Sequence, residues 1–137
     1  MKKAKKILVG TGDINKIIPI GNHLLIELDG VDAEILNDPK IIEETLITVA
    51  EQAGATVLNS FIHTFEPQGV TGVVAVSESH LSTHDWPEHN YATVDIFFCG
   101  DKVNLSVAKK IIEARLKPQS VRALIIIRGL LKKFVNT

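Results

Sequence analysis

The clearest change of period along the chain falls at Gly54. Upstream, Ile42, Leu46, Val49, Ala50 and Ala53 recur at three- and four-residue spacing, the mark of one apolar helix face. Asn37-Asp38-Pro39 opens that helix. An Asn or Asp side chain accepts from the free amides of the first turn, proline fits the first helical position, and Gly54 supplies the stop. A helix over about 39–53 is predicted. From Ala55 the period is two: Val57, Asn59, Phe61, His63 and Phe65 share one face, and Thr56, Leu58, Ser60, Ile62 and Thr64 the other. Glu66-Pro67-Gln68-Gly69 breaks the run and Val70 to Val76 resumes it, so the pair reads as a hairpin. Gly72, inside the second strand, marks a bulge or the close approach of another chain or ligand.

The same reading gives a strand over Asn22 to Gly30, closed by an Asp-Gly turn, and another over Tyr91 to Gly100 with Ala92, Val94, Ile96 and Phe98 on one face. Asn104 caps a second helix carrying Leu105, Ala108, Ile111, Ile112 and Leu116, Pro118 follows its end, and Val121 to Ile127 is a β-branched strand. Residues 1–20 have no clear period, and Gly10-Thr11-Gly12 is read as a turn, since it lacks the rest of a phosphate loop. Consecutive strands with only two helices predict the α+β class: a two-layer α/β sandwich whose mainly antiparallel sheet carries both helices on one face.

Composition narrows the setting. A chain of 137 residues, 45% hydrophobic, is long enough for one core and too short for two ordinary domains, so residues 1–137 are read as a single domain. The formal charge is −1 and the only basic block is Met1-Lys2-Lys3-Ala4-Lys5-Lys6, taken as a solvated tail; a nucleic-acid partner is not expected. The lone Cys99 excludes an internal disulfide and suits a reducing compartment. Ile7-Leu8-Val9 and Ile17-Ile18-Pro19-Ile20 are separated by Gly10-Thr11-Gly12-Asp13, so neither forms a signal-peptide core or a membrane span, and the cytoplasm is the expected location.

Candidate chemistry concentrates in Ser77 to His89, where three serines, three histidines and three acids crowd together with Trp86. His80 with His84, joined by His63 or His89, has metal-ligand residue types, but Trp86-Pro87 argues against the helix on which a four-residue spacing would serve, and no metal is expected. Cys99 or a serine beside a histidine suits nucleophilic catalysis, although no Gly-x-Ser-x-Gly elbow is present. A polar loop with Cys99 packed as a small hydrophobe is the third reading.

Three runs taken together decide more than any of these. Gly69-Val70-Thr71-Gly72-Val73-Val74, then Glu78-Ser79-His80-Leu81-Ser82-Thr83-His84 with Trp86-Pro87-Glu88, then Ala92 to Gly100 closely resemble the S-adenosylmethionine decarboxylase proenzymes of bacteria and archaea; the likeness runs from about Asn22 through Gly100 and more weakly to Arg128-Gly129. That resemblance implies self-cleavage between Glu78 and Ser79, giving a β chain 1–78 and an α chain 79–137 whose first residue becomes a pyruvoyl group. It implies His84 as processing base, the Thr71 hydroxyl assisting, Cys99 as proton donor in decarboxylation, Phe65 stacking on adenine and Glu88 binding the ribose hydroxyls. It further implies a homodimer of processed protomers, S-adenosylmethionine as substrate, and decarboxylated product and carbon dioxide serving spermidine synthesis. Threonine stands at 71 where many relatives carry serine, and Asp85 and His89-Asn90 depart from the family pattern. An extra carboxylate favours the sulfonium cation or marks an ornithine or arginine decarboxylase, and a non-processing binding or regulatory relative is a further alternative.

Overall fold

The computed structural model describes residues 5–8, 20–99 and 105–129. One sheet of seven strands runs in the order β1-β7-β2-β6-β5-β4-β3. The strands are β1 (Lys5–Leu8), β2 (Gly21–Asp29), β3 (Val57–Thr64), β4 (Val70–Val76), β5 (Ser79–Trp86), β6 (Tyr91–Cys99) and β7 (Ser120–Arg128). All neighbours are antiparallel except β1 and β7, which run parallel. Three helices complete the described residues: α1 (Ala33–Leu36), α2 (Pro39–Gln52) and α3 (Leu105–Leu116). Helices α2 and α3 pack side by side and share one core with the sheet, giving the expected α+β sandwich.

Alternation along the strands builds that core. Leu24, Ile26 and Leu28 of β2, Val94, Ile96 and Phe98 of β6, and Val70, Val74 and Val76 of β4 turn inward against Ile42, Leu46 and Val49 of α2 and Ala108, Ile112 and Leu116 of α3. The start of α2 is fixed as its sequence requires: Asp38 Oδ1 accepts from the amides of Lys40 (3.0 Å) and Ile41 (3.2 Å), with Pro39 at the first position.

Several details depart from the sequence reading. The polar run after Ser77 is not a loop, because Ser79–Trp86 forms β5 in the interior of the sheet. Its alternation is hidden because Thr83 and Asp85, on the buried side, are polar. Strand β3 does not keep a single alternation from Val57 to Phe65: the register shifts between Val57 and Asn59, so Val57 packs on the core while Phe61 is exposed, and Phe65 lies beyond the strand. The short helix α1, capped by Asp32, was not foreseen. Lys5 and Lys6, expected in a solvated tail, pair with Leu124 and Ile125 in an edge strand whose four residues are all exposed, which is why no period marked it. Met1–Ala4, the Gly10-Thr11-Gly12 turn, Gly100 and the Asn104 cap lie outside the described residues.

Gly72 sits in regular pairing rather than at a bulge, and what comes close to it is not another chain or a ligand but this chain's own side chains. A methyl group there would lie 3.0 Å from Ile62 Cδ1 and 3.1 Å from Leu46 Cδ1, so β4 and α2 meet at van der Waals distance because position 72 has no side chain. Gly72→Ala is expected to lose about 1–3 kcal/mol of stability. Urea unfolding is the check, and an unchanged midpoint would show that the layers separate freely.

Candidate active site

The sheet has one face under the helices and one open face. The register puts Thr71 and Val73 of β4, His80, Ser82 and His84 of β5, Asp95 and Phe97 of β6, and His23 of β2 on the open side. Phe61 and Trp86 are 63% and 40% exposed there.

Ser79 stands at one end of this arrangement. Only Ser77 and Glu78 join β4 to β5, since Val76 pairs with Ser79. The turn is tied down from the side: the Ser77 amide donates to Thr56 O (3.0 Å) and Glu78 Oε2 accepts from the Thr56 amide (3.2 Å). Ser79 also pairs with Phe98, which sets Cys99, the next residue of β6, level with Glu78. Cys99 is an exposed free thiol. The Ser79 hydroxyl lies 3.3 Å from His80 Nδ1.

Thr71 and His84 stand at the other end. They are direct cross-strand partners, and Thr71 Oγ1 is 2.9 Å from His84 Nδ1. Phe65 is close by, half exposed beyond β3, its amide donating to Gly69 O (2.8 Å) and its ring meeting His63 edge-on at 4.6 Å. Glu88 is exposed in the single 3₁₀ turn Pro87–His89 that follows β5. That turn is held by Asn90, which exchanges 2.9 Å hydrogen bonds with the backbone of Val31.

The six side chains therefore fall into two groups. Ser79 and His84 lie five residues apart on one strand, about 16 Å at the rise of extended chain. Ser79 is grouped with Cys99, and His84 with Thr71, Phe65 and Glu88. One protomer does not bring the serine and the expected processing base together.

Between the groups is a polar cluster that sequence reasoning passed over. Asp95 Oδ1 lies 3.4 Å from both His23 Nε2 and His80 Nε2, and Asp95 Oδ2 accepts from Ser82 Oγ at 2.7 Å. Arg128 flanks it, 3.4 Å from His23 Nδ1 and 4.5 Å above the Phe97 ring. Period two had already put Asp95 on the Phe97 and Cys99 side; the missing signal was that His23, far away in sequence, lands two strands from His80. His23, His80 and Asp95 have donor atoms within 4.8 Å of one another and, among the described residues, are the ones that could hold a cation. His80 and His84 cannot share one, being four residues, about 13 Å, apart along β5.

The sequence model of the S-adenosylmethionine decarboxylase family matches residues 22–129. A protein named S-adenosylmethionine decarboxylase proenzyme from Pelotomaculum thermopropionicum is 46% identical over 112 residues, covering 82% of this chain and 89% of that one. One of the same name from Acetivibrio thermocellus is 45% identical over 117 residues, covering 85% and 94%. The crystal structure of the adenosylmethionine decarboxylase from Aquifex aeolicus superposes with a TM-score of 0.77 at 36% identity, covering 88% of this chain and 99% of that chain. The fold is thus that of a small adenosylmethionine decarboxylase. The chain belongs to the S-adenosylmethionine decarboxylase family.

Asp85, the departure that raised a question of substrate, does not face the open side. It is 7% exposed, on the helix side of β5, where Oδ1 accepts from the Val70 amide (2.9 Å) and Oδ2 has no hydrogen-bond partner. Burial pushes its carboxyl up to about 6, against the Val70 hydrogen bond and with a smaller push from the charge of Glu88. Because the folded value lies above the ordinary 3.8, the proton is held more tightly in the native state; its contribution is complete below pH 3.8 and is lost as pH rises through about 6. Asp85→Asn keeps an acceptor for Val70 without the buried charge. Its melting temperature relative to the parent is expected to be higher at pH 8 than at pH 4.5, by the equivalent of up to ~2 kcal/mol. A difference independent of pH would show that Asp85 is not held as a strained carboxylate.

Proposed function

We propose that this chain is a self-processing, pyruvoyl-dependent S-adenosylmethionine decarboxylase, acting in the cytoplasm to supply the aminopropyl donor for spermidine synthesis. The observation that carries this reading is the Glu78–Ser79 bond leaving a two-residue turn with Cys99 level beside it, in a chain of this family. In self-cleavage the Ser79 hydroxyl attacks the Glu78 carbonyl and the peptide nitrogen leaves, giving an ester. Removal of the α-hydrogen of residue 79 then expels the Glu78 carboxylate, and hydrolysis of the resulting enamine releases ammonia, leaving a β chain 1–78 and an α chain 79–137 headed by pyruvoyl. A two-residue turn anchored to Thr56 suits the first step because it restrains the chain on the Glu78 side of the bond to be cut.

The pyruvoyl group, once formed, supplies a ketone that captures the substrate amine and withdraws electrons as carbon dioxide leaves. The surrounding residues position and protonate. Cys99 delivers a proton to the substrate α-carbon, Phe65 covers the adenine, and the Glu88 carboxylate accepts from the ribose hydroxyls. His84 serves as base for the α-hydrogen, and Thr71, its Oγ1 2.9 Å from His84 Nδ1, supplies the assisting hydroxyl.

The distance along β5 gives this reading its quaternary form: a homodimer in which His84, Thr71, Phe65 and Glu88 of one protomer serve Ser79 and Cys99 of the other. The open face, with Phe61, Val73 and Trp86 uncovered, supports sheet-on-sheet pairing about a two-fold axis, which lays opposite ends of the two sheets together. Ornithine or arginine as substrate is not favoured, since the carboxylate that suggested it is buried on the helix side.

Intact mass followed by carbon dioxide release tests the reading. The purified chain is expected as two fragments divided at Glu78–Ser79, the α chain lighter by one ammonia than simple hydrolysis would leave it. It should release carbon dioxide from S-adenosylmethionine and not from ornithine or arginine, and Cys99→Ala should cut but turn over at least ~100-fold more slowly. A chain of 15.0 kDa that stays whole on prolonged incubation would sink the proposal.

A further inference from the structure

One neighbour of Ser79 has no task in that scheme. His80 Nδ1 lies 3.3 Å from the Ser79 hydroxyl, and the opposite nitrogen of the same ring, Nε2, lies 3.4 Å from Asp95 Oδ1. The carboxylate is fixed in turn: Ser82 Oγ donates to its other oxygen at 2.7 Å, and His23 Nε2 meets Oδ1 at 3.4 Å. A hydroxyl, an imidazole reached through one nitrogen and a carboxylate reached through the other make the serine, histidine and acid order of an activated nucleophile. The acid favours the tautomer that carries its proton on Nε2, which leaves Nδ1 as an acceptor for the hydroxyl proton. Both ring contacts are long, as base contacts commonly are before the reacting geometry closes.

We propose that His80, oriented by Asp95, is the base for the first step of self-cleavage, the shift of the Glu78 acyl group from the nitrogen of Ser79 to its oxygen. The inference rests on the self-processing reading. His80 Nδ1 takes the hydroxyl proton as the Ser79 Oγ bond to the Glu78 carbonyl carbon forms. As the carbon–nitrogen bond breaks, the same proton passes to the departing nitrogen, so the step closes with an ester, a free amine and a neutral imidazole. His80 touches the reacting oxygen and is a catalytic residue of processing; Asp95 is a positioning residue. The task differs from that of His84, about 13 Å from His80 along the strand, which acts later and on carbon. A resident cation on His23, His80 and Asp95 would take up Nε2 and the carboxylate, and the nearby guanidinium of Arg128 opposes one.

The test is the rate and the stopping point of self-cleavage in freshly translated full-length chain, followed by intact mass with and without hydroxylamine, which splits an ester but not a peptide bond. His80→Gln is expected to slow cleavage ~100-fold or more and to leave uncut chain that hydroxylamine does not divide. Asp95→Asn should be slowed at the same stage, because its amide favours the wrong tautomer. His23→Gln, which removes a contact to the same Asp95 oxygen without touching Ser79, should be slowed less than tenfold. His80→Asn is the second variant if the first does not give a native melting curve. Cleavage of His80→Gln at the parent rate, its arrest as a hydroxylamine-sensitive ester, or loss of parent cleavage in a metal chelator would each overturn the proposal. A parent chain that never cuts would instead overturn the self-processing reading.

Discussion

An extended strand does not fold back on itself, and the candidate site depends on that constraint. Strand β5 carries Ser79 at its first residue and His84 at its sixth, with continuous pairing to β4 and β6 on either side. Each step advances about 3.3 Å, and no rotamer of histidine spans the gap between them. The same pairing that separates the two residues supplies each with its neighbours: Phe98, and hence Cys99, beside Ser79, and Thr71 across from His84. Register alone sorts these residues into two groups on one sheet, and the proposed homodimer is the arrangement that would join them.

The two faces of the sheet divide the work between stability and chemistry. Toward the helices, aliphatic side chains pack closely enough that a methyl group at Gly72 would press on Ile62 and Leu46. Among the described residues Asp85 is the buried ionisable group on that side, a carboxylate that fastens the end of β5 to the amide of Val70 at the cost of a buried oxygen without a partner. Toward the open side, histidines, carboxylates and aromatic rings remain accessible. The Asp95 cluster sits there between the half-sites, linked to the Ser79 hydroxyl through one imidazole ring.

The frame was legible in the sequence because its signals are local. Helix α2 announces itself through Asp38-Pro39 and its apolar spacing, and β6 through the alternation from Ala92 to Phe98. Strand β5 was not legible, because Thr83 and Asp85 on its buried side remove the apolar beat on which the period depends. The bulge in β3 escaped for a related reason: one extra residue reverses the phase, and only the partner strand reveals where. The residue types of the site could be read from their motifs. Their division into two groups could not, since it depends on register, and the meeting of His23 with Asp95 and His80 depends on strands remote in sequence.

The division of the site between two protomers is tested most directly by co-expressing two inactive chains of distinguishable mass, one Ser79→Ala and the other His84→Ala. The Ser79→Ala chain lacks the nucleophile and stays whole. The account expects the His84→Ala chain, uncut when expressed alone, to be divided at Glu78–Ser79 in the mixture, where a partner provides the missing imidazole. A His84→Ala chain that cuts unaided, or that remains whole inside a mixed dimer, would contradict it.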